Sequence, residues 1–176
     1  MKHFVPAFAL ALALALPACD DHGHDDDHDH GDAAGGHAEV DGVEVEACEH
    51  LAEGPAAPVV AAAAGAAGAP AVSDDHTRYD ITLSAAEGGA SGVVEFASEA
   101  AGEHSFFFNA EVGLQVTGPD GAVLTADHTH TSSTLCSDIK LWAVYDLDVG
   151  TYALQLTTPQ PGTVALVIEA GHGHAQ

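Results

Sequence analysis

The chain has 176 residues and almost no positive charge: three Lys and Arg side chains stand against 27 Asp and Glu, and the formal net charge is -24 with histidine neutral. A phosphate backbone is gripped by clustered Lys and Arg, so nucleic-acid binding is excluded as the main activity. The same charge argues against docking on an anionic bilayer through a polybasic patch. The sequence also lacks a Gly-x-Ser-x-Gly elbow, a phosphate-cradling Gly-Lys-Ser/Thr loop and a His-Glu-x-x-His pair, so acyl or phosphoryl transfer has no support and no enzymatic activity is expected. Beyond the first residues no apolar run has the length and composition of a membrane span; residues 55–72 come closest, but Ala, Gly and three prolines dominate them. What is present is a hydrophobic fraction of 47%, which excludes a wholly disordered chain, and 13 histidines.

The first 18 residues read as a secretory signal. Lys2 supplies the positive start, and residues 4–18 form an uncharged, mostly apolar run of 15 residues, too short to span a bilayer as a helix. The run ends in Leu16-Pro17-Ala18-Cys19, followed by Asp20-Asp21. This resembles the lipobox of bacterial lipoproteins, although Ser, Thr or Ala is commoner where Pro17 stands. The resemblance implies cleavage before Cys19, a lipid on its sulfur and acylation of the new amino terminus. That anchors the protein in the cell envelope, on the periplasmic side of the inner or outer membrane. Asp20 after the cysteine resembles the inner-membrane retention signal of enteric bacteria. The competing reading is ordinary cleavage near Ala18 with Cys19 left free. With Cys19 lipidated, Cys48 and Cys136 remain as a pair in an oxidising compartment, and a disulfide between them is expected. The alternative is a metal held by both thiolates, or by Cys48 with His50.

Residues 19–47 read as the lipidated cysteine and a disordered tether. Residues 20–46 hold 11 acids and no Lys or Arg, and like charges extend a chain that has nothing to bury. His22, His24, His28 and His30 stand among six aspartates in residues 20–31, and His37 follows. Two imidazoles in His-x-His spacing on a flexible chain can reach one ion, and flanking carboxylates concentrate cations. Nitrogen and oxygen donors suit zinc, copper or nickel rather than magnesium or calcium, zinc being the expected occupant. His172 and His174 repeat the spacing in a C-terminal tail, residues 171–176. The plain alternative is a solvated acidic spacer.

Residues 48–73 read as a Cys-containing connecting segment; 16 of the 18 positions from 54 to 71 are Ala, Gly or Pro. Val59 and Val60 could instead open a first strand. From residue 74 to 170 short apolar segments alternate with Gly, Pro, Asp and Ser. Tyr79, Ile81 and Leu83 share one face, as do Val94 and Phe96, Tyr152, Leu154 and Leu156, and Val164, Leu166 and Ile168. Phe106, Phe107 and Phe108 would bury both faces of a strand. Ile139, Leu141, Ala143 and Tyr145 oppose Trp142 and Val144. About eight strands with turn residues between them argue for an all-β, antiparallel sandwich, and no helical period stands out there. Asp148-Val149-Gly150-Thr151-Tyr152 resembles the approach to the last strands of secreted jelly-roll modules of the pre-peptidase C-terminal type, which implies a jelly-roll-like sandwich and no particular activity.

Other polar residues of interest in and before this domain are His50, His76, His104, His128 and His130. On a strand, His128 and His130 face the same way and make a half-site for a metal, with Asp127 or His104 as further ligands. Copper-zinc superoxide dismutases resemble this chain in that His-x-His pair alone. The sequence therefore points first to a lipid-anchored envelope protein that binds or buffers transition-metal ions through its His-rich tail, with a metal transporter or another envelope protein as possible partner. The alternative is a non-catalytic interaction or structural module on an acidic spacer.

Overall fold

A computed structural model describes residues 37–74 and 76–171, with residues 37–41 described by backbone alone. Within them lie one helix, α1 (His37–Glu53), and eleven strands: β1 (Ala56–Val60), β2 (Ala71–Val72), β3 (Arg78–Thr82), β4 (Ser84–Ala86), β5 (Gly89–Ser98), β6 (Gly102–Phe108), β7 (Gly113–Thr117), β8 (His128–His130), β9 (Leu141–Leu147), β10 (Gly150–Thr158) and β11 (Thr163–Ala170). The first sheet runs β1-β3-β11-β6-β9-β8 and the second β2-β5-β10-β7, with β4 paired to β5. The fold is the all-β, sandwich-like class that the alternation indicates. Three more strands are present than the eight expected, and two pairs, β1 with β3 and β2 with β5, are parallel rather than antiparallel. The partners of each parallel pair are separated by a long stretch of chain rather than by a tight turn, residues 61–77 between β1 and β3 and residues 73–88 between β2 and β5, and this permits the parallel sense.

The apolar patterns explain the layers. β10 and β5 alternate because their sheet is covered on one face: Tyr152, Leu154 and Leu156 are buried with Val94 and Phe96 between the sheets. Facing them from the first sheet are Phe106, Phe108, Leu141, Ala143, Tyr145, Leu166 and Ile168. Edge-on aromatic pairs, Phe96 with Phe106 and Phe106 with Tyr145, lock this layer at centroid distances of 5.5 and 5.8 Å. The central strands of the first sheet read as continuous apolar runs because their outer face is buried too. Phe107, Trp142, Val144, Ala165 and Val167 form a second cluster with Ala47 and Leu51 of α1, Cys136 and Ile139. Ile139 lies before β9 and packs here, opposite to the face expected for it.

The helix and the first two strands correct the expected boundaries. The stretch read as a tether up to residue 47 is helical from His37, and the connecting segment contributes β1 and β2 to the sheets, so the folded part starts well before residue 74. Val43, Ala47 and Leu51 recur every four residues and make the stripe that packs on the sheet; the intervening acids concealed it. The helix stops where Pro55 follows Gly54. Gly54 N donates to His50 O at 3.0 Å, and a Cβ on Gly54 would stand 2.6 Å from that oxygen. Arg78 Nη1 donates to the carbonyl of Leu51 at 3.0 Å, satisfying one of the last helical acceptors. Cys48 and Cys136 form the expected disulfide, fastening α1 to the segment before β9 across 88 residues; this excludes the thiolate-metal alternative for the oxidised chain. No helix among the described residues is long and apolar enough to cross a membrane.

Candidate functional site

Beyond the buried stripe of α1, one more helix face meets the first sheet. Glu46 and His50 lie four residues apart and so project on the same side of α1. On β11 the outward row runs Ala165, Val167, Glu169: two apolar residues under the helix, then a carboxylate that is only 3% exposed. His50 Nδ1–H donates to Glu169 Oε1 at 2.7 Å. His76, in the loop between β2 and β3, places Nδ1 3.2 Å from Glu169 Oε2 and 3.4 Å from Glu46 Oε1. The imidazole rings of His50 and His76 sit with centroids 5.0 Å apart. Both oxygens of one buried carboxylate are thus shared between two histidines, with a second carboxylate closing the group.

His76 holds this position with φ of 56°, the one described non-glycine residue in the left-handed region. A side chain there costs roughly 1 kcal/mol or more and persists where surroundings enforce it. The neighbouring loop is pinned by Tyr79, whose hydroxyl lies 2.7 Å from Ser73 Oγ and accepts from Ser73 N at 3.2 Å. Burial pushes the Glu169 carboxyl above its ordinary value; the hydrogen bond and charge of His50 pull it back, Glu46 raises it, and His76 lowers it.

One donor atom from each of Glu46, His50, His76 and Glu169 can be chosen so that all four lie within 4.8 Å of one another. Zinc–ligand bonds of about 2.0–2.1 Å put the donors of a tetrahedral site about 3.3 Å apart. The His76 contacts of 3.2 and 3.4 Å are at that spacing; the 2.7 Å His50 bond uses the other Glu169 oxygen, so an ion held through one oxygen would have to draw in donors that now lie within 4.8 Å of one another. Imidazole and carboxylate donors without sulfur suit zinc, copper(II) or nickel(II). His76 is 58% exposed and Glu46 37%, so an ion can enter from solvent while Glu169 anchors the floor.

The expected half-site on β8 is assembled differently. His128 and His130 do share a face of an exposed edge strand, opposite Val144 and Trp142 of β9. His130 stacks on Trp142 with centroids 4.8 Å apart. His104 cannot join them: it pairs with Tyr145, which lies on the opposite face, and it is buried edge-on against Phe96 between the sheets. Its Nδ1–H donates to Gly102 O at 3.0 Å. Asp127 is engaged as well, accepting from Asp146 N at 2.8 Å. Cys19, His22, His24, His28, His30, His172 and His174 lie outside the described residues, as do the signal and most of the tether. His37 opens α1, and only its backbone is described.

Sequence reasoning singled out His50 and His76 but did not join them to each other or to Glu46 and Glu169, which it passed over. One signal was available: a carboxylate at the end of an otherwise apolar alternating row, at Glu169. No family model matches the sequence, and no curated protein matches it.

Proposed function

We propose that this is a lipid-anchored cell-envelope protein that binds and buffers transition-metal ions, zinc foremost, with copper and nickel as alternatives. The observation that carries the reading is the Glu46/His50/His76/Glu169 group, in which a buried carboxylate bridges two histidines at ligand spacing. Four protein donors around one position favour holding an ion over catalysis, where three protein ligands and an open position are usual. The sequence adds the rest of the proposal: Cys19 as the lipidated residue, and His22, His24, His28, His30 and His37, with His172 and His174, as weak sites that raise the local supply of ions. A net charge of -24 favours cation accumulation throughout.

Equilibrium dialysis of the full chain carrying Cys19→Ser, against zinc, copper(II) and nickel(II) at neutral pH, tests this. The expected outcome is one tight ion that disappears in Glu169→Gln, plus weaker ions that disappear when His22, His24, His28, His30, His37, His172 and His174 become serine. Binding of no ion at micromolar levels refutes the proposal. A tight ion indifferent to Glu169→Gln removes the folded group from it.

A further inference from the structure

The disulfide fastens the helix that carries two of the four candidate donors. Glu46 and His50 come from α1; Glu169 and the loop carrying His76 belong to the sandwich. Cys48 lies between Glu46 and His50 on the helix, and its partner Cys136 is 2% exposed in the cluster beneath. The four donors therefore coexist only while α1 is docked.

Besides the disulfide, the described side chains of α1 dock through a short apolar stripe laid over Phe107, Trp142, Val144, Ala165 and Val167 of the first sheet. The buried apolar contribution of α1 is Ala47 and Leu51, helped by partly buried Val43 and Cys48. Polar fastening comes from Arg78 on the Leu51 carbonyl, from the His50–Glu169 bond and from the contact of Glu46 with His76. A 17-residue helix containing Gly42 and three valines is not stable alone in water. The sandwich, in contrast, has an inter-sheet core of 22 buried residues to which α1 contributes none. Cutting the disulfide thus frees the helix without dismantling the sheets.

We propose that the Cys48–Cys136 disulfide is a redox switch for metal occupancy: closed, it holds the Glu46/His50/His76/Glu169 site together; opened, it releases the ion. This rests on the reading of that group as a metal site. The reductant is a dithiol. One of its thiolates attacks the half-buried Cys48 sulfur, forming a mixed disulfide and expelling the Cys136 thiolate, which takes a proton. The second dithiol sulfur then closes the reductant's own disulfide and leaves Cys48 as a thiol. Two electrons and two protons pass from dithiol to protein.

The effect follows from population. Once reduced, a helix docked about 1–10% of the time weakens apparent affinity about 10- to 100-fold. Linkage is reciprocal, so a bound ion must resist reduction of the disulfide by the same factor.

The test uses the full chain with Cys19→Ser. Zinc affinity is measured by chelator competition for the oxidised protein, for Glu169→Gln, and for Cys48→Ser/Cys136→Ser and Cys48→Ala/Cys136→Val, with near-ultraviolet circular dichroism reporting whether the sandwich is folded. Loss of the tight ion in a folded double variant, with a matching shift in the dithiol concentration that opens the disulfide when zinc is present, supports the switch. A folded double variant of unchanged affinity overturns it. If both double variants unfold, the oxidised protein is titrated with a phosphine reductant instead. Zinc release while the far-ultraviolet β-sheet signal is retained supports the switch, and retention of zinc until that signal is lost overturns it; Trp142, which lies under α1, should report the undocking along with the release. If the oxidised protein holds no ion sensitive to Glu169→Gln, the metal reading itself fails.

Discussion

Glu169→Gln separates a ligand from a structural polar group. Glutamine keeps the shape of the side chain and an oxygen that can accept the His50 Nδ1–H, but removes the charge. In the metal-free protein the ionised carboxylate is a cost as well as a partner, since burial is the main reason its pKa is raised. The sign follows directly. A carboxyl whose folded pKa exceeds the ordinary 4.5 contributes stability that is complete below 4.5 and is lost as the pH rises through the raised value. Near pH 7 the variant escapes that loss but forfeits a charge-assisted hydrogen bond, and the two offset to within about 1 kcal/mol. Metal binding has no such compensation. Altering even a partner of a ligand typically costs 10–100-fold, so losing the anionic ligand itself is expected to weaken the tightest zinc by at least about 100-fold, about 2.7 kcal/mol. Chelator competition reads the second quantity, and thermal unfolding in excess chelator at pH 7 and pH 5 reads the first. The metal-free wild type should gain on the variant as the pH falls. Unchanged zinc affinity refutes the reasoning. So does a metal-free loss of stability beyond about 3 kcal/mol, the range for breaking a required buried pair.

Other perturbations test neighbouring steps. Zinc affinity should fall as the pH drops into the raised range of the Glu169 carboxyl, where protons compete with the ion; a flat competition profile from pH 8 to pH 5 would contradict this. His76→Gly relieves a left-handed residue and should raise metal-free stability by up to about 1 kcal/mol, whereas His76→Ala keeps the strain; both should lose the tight ion, and equal unfolding midpoints would argue against strain at this position. Phe107→Ala empties the layer between α1 and the first sheet and should cost about 3–5 kcal/mol in urea unfolding, with loss of the stacked partner of Trp142; a cost below about 1 kcal/mol would mean that this face is not a packed core.

Where side chains alternate against a single covered face, the strands were legible in the sequence: β3, β5, β10 and β11 carry their expected inner rows, and the three consecutive phenylalanines of β6 bury both faces as their continuity implies. The helix was not legible. Its apolar stripe is narrow and made of Val43, Ala47 and Leu51, while six acids stand among the remaining positions. The same composition suits an extended chain, and docking on a sheet 60 to 120 residues away decides between the two. The site escaped for a related reason. Its residues stand at 46, 50, 76 and 169, and only the i,i+4 pair on the helix is local.

By itself the sequence determined the quantities that add up locally. These are the strongly negative charge with its histidines, the even pair of cysteines left once Cys19 is set aside, and the period-two apolar rows that require a β-sandwich. Tertiary structure decided which polar residues meet. The first sheet buries its second face under α1, and this makes Glu169 a buried carboxylate rather than a surface one. The parallel joining of β2 to β5 ends close to the loop that presents His76, and the disulfide holds His50 and Glu46 against them. A metal group needs donors within a few ångströms, and proximity between distant segments is set by packing, which no local pattern encodes.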